Sequence, residues 1–211
     1  TLLLMARKRS FIKMLGDRMK ENIILVDCDG VLCDWEYSFT QWMNHKGYPT
    51  SKYDEYNVAK RFNLTREFSK KCVEEFNESA AIAFLPPLRD AVYYMKRLNM
   101  LHGYRFHCIT SLSDNKYAQR LRTQNLELLF GKELFDDYIY LGCGADKDEV
   151  LKQYQGTECF WVEDKVENAE VGKRFGLESI LVAHEHNAYY EGNIPRYWKW
   201  KDIYKHIVGE M

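Results

Sequence analysis

Six consecutive residues of this 211-residue chain, Asp27-Cys28-Asp29-Gly30-Val31-Leu32, carry its most specific chemical signal. They directly follow an apolar run, so two carboxylates two positions apart leave a strand end toward the same crevice. Gly30 lets the backbone turn sharply there, because glycine tolerates positive φ. Two such anions repel one another and resist desolvation, which calls for a partner cation. Hard oxygen ligands of this kind favour Mg2+. The letters D-x-D-G also open calcium loops. Here hydrophobic Val31-Leu32 stands where such a loop needs further oxygen ligands. Three weaker signals lie downstream: Thr110-Ser111, Lys147, and Glu163-Asp164 with Asn168 four residues on. Taken singly, the hydroxyls read as a turn or helix cap, the acids as a helix N-terminus and the lysine as a solvated side chain. Their order along the chain lends them weight: acid pair, hydroxyl, lysine, acid pair.

The elements that must position these groups follow from hydrophobic periodicity. Asn22 to Asp27 (NIILVD) reads as a buried parallel strand. Tyr104 to Thr110, Asp137 to Leu141, Glu158 to Glu163 and Glu178 to Ala183 read as the second to fifth strands. Helices are expected from Pro87 or Leu88 through Leu98, over 115–130, over 146–154 with Asp146 as its cap, over 168–175, and near 201–208. From Asp34 to about Phe84, charged and aromatic residues recur at helical spacing. That stretch reads as a helical insertion of about fifty residues, closed by Leu85-Pro86-Pro87. The chain then divides into an N-terminal helical extension (1–21), a core (22–34 and 85–211) and the insertion (35–84). Strands alternating with helices imply a parallel sheet covered on both faces. Active sites in such sheets lie off the carboxyl ends of the strands, where the two acid pairs and the hydroxyls fall.

Composition narrows the function classes. Hydrophobic residues at 46% and charged residues at 29% exclude general disorder. Thirty basic against 31 acidic residues give a net charge of -1, so no bulk positive field drives nucleic-acid binding. No apolar run approaches the ~20 residues of a membrane span. The six cysteines form no C-x-x-C pair, so neither a zinc site nor a dithiol motif is indicated, and a reducing cytoplasm is the expected location. Thr1 to Met5 is apolar and is followed by Arg7, Lys8 and Arg9, the reverse of a secretory signal. Phe11, Ile12, Met14, Leu15 and Met19 share one helical face, expected to pack on the chain's own domain.

The motif order resembles the haloacid dehalogenase (HAD) superfamily of phosphotransferases, over roughly Ile23 to Ala183. The resemblance implies an α/β, HAD-like Rossmannoid three-layer fold. Its central parallel sheet would hold the first strand between the second and fourth, with a small helical cap (35–84) inserted after the first strand. It implies Asp27 as nucleophile, forming an aspartyl-phosphate, and Asp29 as general acid and base. Thr110, Ser111 and Lys147 would hold phosphoryl oxygens, and Lys116 or Lys152 could share the role of Lys147. A Mg2+ ion would be bound by the Asp27 and Asp164 side chains and the Asp29 backbone carbonyl, with Glu163 and Asn168 orienting that shell. Within the superfamily, Asp27 to Trp35 (DCDGVLCDW), Asn77 to Leu88 and the tail from His184 to Trp200 are similar to 5'(3')-deoxyribonucleotidases. That similarity implies a nucleoside monophosphate substrate. Trp35, Phe39 and Trp42 would line the substrate pocket and stack on a base, with Phe76 and Phe84 as secondary candidates. Asp114 stands where those enzymes often carry a lysine. A sugar phosphate or another small phosphomonoester is the runner-up substrate; a DNA-end phosphatase and a non-catalytic binding protein rank behind. Asp34 either fixes the first loop or caps the first inserted helix. His184 and His186 read as a surface loop. A homodimer partner could complete a half-covered crevice.

Overall fold

The computed structural model describes residues 23–51 and 55–210. The helix expected over 1–21 lies outside them. Strand β1 (Ile23–Val26) has three consecutive residues, Ile24, Leu25 and Val26, with no exposed surface. Ile24 and Val26 face one layer of the core and Leu25 the other, as a period of two requires. Each such burial contributes about 1.5–3 kcal/mol over leaving the side chain in water. Strands β2 (Arg105–Ser111) and β4 (Phe160–Glu163) flank β1, both parallel to it. Strands β3 (Phe135–Leu141), β5 (Glu178–Val182) and β6 (Arg196–Tyr197) complete a six-stranded parallel sheet in the order β3-β2-β1-β4-β5-β6. Strand β6 is absent from the sequence expectation, because two residues are too few to show a period.

Helices cover both faces. On one side α4 (Ala91–His102), α5 (Lys116–Phe130) and α8 (Trp200–Val208) pack against Ile24, Val26 and Val162. On the other, α6 (Asp148–Leu151) and α7 (Val166–Arg174) pack against Leu25, Ile109 and Trp161. Helix α7 comes so close to the sheet that a Cβ at Gly172 would sit 2.5 Å from Trp161 Cδ1. Between β1 and α4 the described chain is helical: α1 (Trp35–His45), α2 (Val58–Arg61), α3 (Arg66–Glu78) and a 3-10 turn (Ala80–Phe84). Its apolar side, with Phe39, Met43, Phe62, Cys72 and Phe76, continues the core of the sheet. Asp34 is the N-cap of α1, accepting the Tyr37 amide at 3.0 Å.

Three helix starts differ from expectation, and one of them is α7, which begins at Val166, two residues ahead of Asn168. Pro87 does not open a helix; it bridges Cys33, and the Leu88 amide bonds the Leu32 carbonyl at 2.8 Å, which ties this segment to the loop after β1. Arg89 then turns with φ 45°, and α4 begins only at Ala91. Asp90 precedes α4 without capping it. Its carboxylate accepts the amides of Trp200 at 2.9 Å and Lys201 at 3.2 Å, and so caps α8 instead. Asp146 likewise does not cap α6, whose N-cap position is held by Lys147. Cys28, Cys33, Cys72, Cys108 and Cys143 are free thiols, and of these five only Cys143 is exposed. Among the described residues no helix is long and apolar enough to cross a membrane.

Candidate active site

Pairing of β1 with β4 sets Val26 beside Val162, and the Asp27 amide bonds the Val162 carbonyl at 3.0 Å. Asp27 and the Glu163-Asp164 pair therefore leave adjacent strands side by side. Carboxylate oxygens of Asp27, Glu163 and Asp164 lie within 4.8 Å of one another. Lys147 enters from the loop ahead of α6, its Nζ 2.8 Å from Asp27 Oδ1 and 2.8 Å from Glu163 Oε2. All four side chains are buried. Charges removed from water cost several kcal/mol each unless they are matched. Three carboxylates against one ammonium leave a formal charge of two negative, which a divalent cation balances.

The hydrogen bonds separate the three acids. Glu163 Oε1 accepts the Asp164 and Lys165 amides at 3.0 and 3.1 Å, and Oε2 accepts Lys147 and Asn168 Nδ2 at 2.8 and 3.2 Å. Glu163 is thus held on both oxygens and holds its neighbours, whereas Asp27 and Asp164 line the open cleft. At Gly30, φ is 74° and a Cβ would stand 2.5 Å from Asp164 Oδ2, so no larger residue passes there without moving that carboxylate. Hard oxygen donors, an uncompensated negative charge and a loop shaped around Asp164 fit a small divalent ion.

Thr110, next to last in β2, lies on the same cleft, and its Oγ1 is buried without a hydrogen-bond partner. A buried hydroxyl without a partner costs about 1–3 kcal/mol, so an oxygen-bearing ligand would satisfy it. Ser111 also lines the cleft, but its hydroxyl donates to the Ala145 carbonyl at 2.9 Å and braces the loop ahead of Lys147. Lys116 bonds Gln119 Oε1 at 3.0 Å, and neither Lys116 nor Lys152 lines the cleft. Burial, and then the charge of Glu163, push Asp27 up to about 7 against the pull of Lys147. Burial likewise pushes Asp29 up to about 7, against the opposing charge of Arg122. Burial works to lower Lys147, yet Asp27 and Glu163 hold it above the ordinary lysine range.

Raised carboxylates have a definite consequence for stability. Between about pH 4 and 7 the folded protein binds more protons at Asp27 and Asp29 than the unfolded chain does, so this pair makes stability fall as pH rises through that window. In thermal melts without divalent cation, the fall is expected to be steeper in wild type than in Asp27→Asn. Added Mg2+ should raise the melting temperature more at pH 7.5 than at pH 5. Equal Mg2+ shifts at both values would mean that the ion does not bind these carboxylates.

Sequence reasoning missed several residues. Arg122, on α5, is wholly buried and contacts Asp29 Oδ1 at 2.5 Å. Its position was a readable signal: Ala118, Arg122, Asn125 and Leu126 mark the buried face of α5, and a cation on such a face needs an anionic partner. His184 and His186 are not a bare surface loop. His184 Nε2 meets the Gly30 carbonyl at 2.6 Å, and His186 Nε2 lies 3.2 Å from Asp164 Oδ2. Tyr56, from the helical segment, lies over His186 with ring centroids 4.1 Å apart. Asn77 of α3 accepts the Trp35 indole N–H at 2.9 Å and donates to the Leu112 carbonyl at 3.3 Å, tying that segment to the end of β2.

A cleft of about 980 Å3 separates the helical segment from the strand ends. Trp35 and Phe39 line it, stacked with centroids 4.6 Å apart. Trp42 does not: it packs beside Phe39 and Phe76, with the Lys46 ammonium 4.0 Å from its ring centre. Phe76 is buried and Phe84 is exposed, and neither lines the cleft. Tyr37, Tyr56 and Trp198 line it as well, each about half exposed.

Solved structures share this architecture. A haloacid dehalogenase-like hydrolase, SP0104 from Streptococcus pneumoniae, superposes with a TM-score of 0.61 at 13% identity, covering 89% of this chain and 99% of its own. The chain has the haloacid dehalogenase fold. The HAD hydrolase YfnB from Bacillus subtilis, solved with magnesium bound, matches at TM-score 0.54 and 12% identity over 88% of this chain and 98% of its own. CbbY from Rhodobacter sphaeroides, solved as a point mutant in complex with xylulose-(1,5)bisphosphate, matches at 0.53 and 14% over 85% and 94%. In sequence, the chain is 28% identical over 137 residues to the "Uncharacterized 32.4 kDa protein in Gp30-rIII intergenic region" of Enterobacteria phage T4. That alignment covers 62% of this chain and 48% of the relative, so the chain matches about half the length of that protein. No protein-family model matches. The strand order agrees with what the HAD resemblance implies: β1 lies between β2 and β4, which brings Asp27, Thr110 and Glu163-Asp164 to one edge.

Proposed function

We propose that this protein is a Mg2+-dependent phosphomonoester hydrolase, most similar in its chemistry to a 5'(3')-deoxyribonucleotidase acting on nucleoside monophosphates. The observation that carries the reading is Asp27, buried between Lys147 and the Glu163-Asp164 pair, with the partnerless Thr110 hydroxyl on the same cleft. Asp27 attacks phosphorus and forms an aspartyl-phosphate, splitting the hydrolysis into two easier steps. Asp29 protonates the departing alkoxide and then takes a proton from the attacking water. Thr110 donates to a phosphoryl oxygen, and Lys147 supplies a fixed positive charge beside Asp27. The side chains of Asp27 and Asp164 and the carbonyl of Asp29 would hold the ion, with Glu163 and Asn168 orienting them. When bound, Mg2+ neutralises charge on the phosphoryl oxygens.

L-2-haloacid dehalogenases share the fold as well. A halide departs without a proton, whereas an alkoxide needs one, and Asp29, pushed up to about 7, meets that need. The size of the cleft and its stacked Trp35–Phe39 wall favour a nucleoside over a small leaving group. A phosphate-release screen over nucleoside monophosphates, sugar phosphates and 2-haloacids, with Mg2+ and with EDTA, tests the reading. Mg2+-dependent release favouring dUMP or dTMP is expected. Preference for a sugar phosphate would replace the nucleotide assignment, and halide release without phosphate release would replace the chemistry.

Trp35→Ala is expected to raise KM for a nucleoside monophosphate by roughly tenfold, from the ~1–3 kcal/mol of a base–aromatic stack. KM for glycerol phosphate should stay within about twofold of wild type. Equal losses on both substrates would give Trp35 a structural role through Asn77.

A further inference from the structure

We propose that Arg122 is the positioning residue of Asp29, tying down one carboxylate oxygen so that the other, Oδ2, carries the proton exchanged with the leaving group. This assignment rests on the phosphomonoesterase reading above. Arg122 sits on the sheet-facing side of α5 with no exposed surface, and a guanidinium so placed is costly unless an anion meets it. Its Nη1 is 2.5 Å from Asp29 Oδ1 and 2.7 Å from Cys28 Sγ, while Nη2 is 3.4 Å from Asp29 Oδ2. Its Nε has no hydrogen-bond partner, so this short contact to the Asp29 loop is what anchors the head group.

The two oxygens of Asp29 are therefore unequal. Oδ1 is held by a charge-assisted bond, which favours negative charge there. Oδ2 has only the long contact at 3.4 Å and is the oxygen left to face the leaving group. Asp29 keeps 24% side-chain exposure and lines the cleft, whereas Arg122 does neither. The guanidinium thus acts from inside the fold and touches no substrate. In the first step the Asp27–phosphorus bond forms, the ester P–O bond breaks, and the Oδ2 proton passes to the departing oxygen. In the second, the water oxygen bonds phosphorus, the Asp27–phosphorus bond breaks, and a water proton returns to Oδ2. Arg122 stays cationic throughout.

The test is the dependence of kcat/KM on the leaving alcohol, with p-nitrophenyl phosphate at one end and alkyl phosphates at the other. In Arg122→Met, alkyl esters should lose on the order of 100-fold and p-nitrophenyl phosphate less than about 5-fold, because only the poor leaving group needs the proton. Adding Arg122→Met to Asp29→Asn should cost nothing further. If Arg122→Met does not fold, Arg122→Lys, which keeps a charge but not the fork, is read by the same slope. Equal losses across leaving groups, or a further loss on the Asp29→Asn background, would overturn the assignment and leave Arg122 purely structural. A wild type inert to every phosphate ester would remove the hydrolase reading and this assignment together.

Discussion

Asp27→Asn is expected to lower phosphate release by on the order of 10^4-fold or more, the scale of losing a nucleophile. The melting temperature should stay within a few degrees of wild type. The fold tolerates this change for a specific reason. Asp27 is buried between Lys147 and Glu163, and its carboxylate is raised to about 7 by burial and by Glu163. A carboxamide keeps an oxygen within reach of Lys147 and removes the repulsion from Glu163, while Lys147 retains its bond to Glu163 at 2.8 Å. Stability therefore changes little, and lost turnover reports chemistry. Single-turnover assays with circular dichroism melts check both halves. Turnover near wild type would exclude Asp27 as the nucleophile.

Lys147→Met is the second large effect, and it separates charge from volume. The ammonium is the cation paired with both Asp27 and Glu163. Removing one partner of a buried ion pair costs about 3–5 kcal/mol, because the remaining charges are left uncompensated. Without divalent cation, urea melts at pH 7.5 should show a loss of that size. At pH 5 the loss should shrink, since Asp27, already raised in wild type and higher without the lysine, takes up a proton and the repulsion disappears. Activity should fall on the order of 10^3-fold at every pH, as one fixed charge beside the phosphoryl group is lost. A loss of stability independent of pH would mean that Lys147 contributes packing, not charge.

Local patterns made much of the frame legible. The run Ile23 to Val26 is apolar without alternation because both faces of β1 are covered. The acids that follow β1 and close β4 stand out because the rest of those two strands is apolar. Helix boundaries were less legible. Asp90 and Asp146 each look like a cap for the next helix in sequence, yet Asp90 caps α8, more than a hundred residues away. A carboxylate satisfies whichever amides the fold brings to it, and local sequence does not name them.

By itself the sequence determined the parallel α/β class, the strand ends that carry Asp27, Asp29, Thr110 and Glu163-Asp164, and the helical segment beside them. Those features depend on period and on residues adjacent in the chain. The tertiary structure alone decided that Arg122 faces Asp29, that His186 meets Asp164, and that Trp42 packs beside Phe39 and Phe76 away from the cleft while Trp35 borders it. These contacts join residues of different elements, and they arise only when the order β3-β2-β1-β4-β5-β6 brings those elements together.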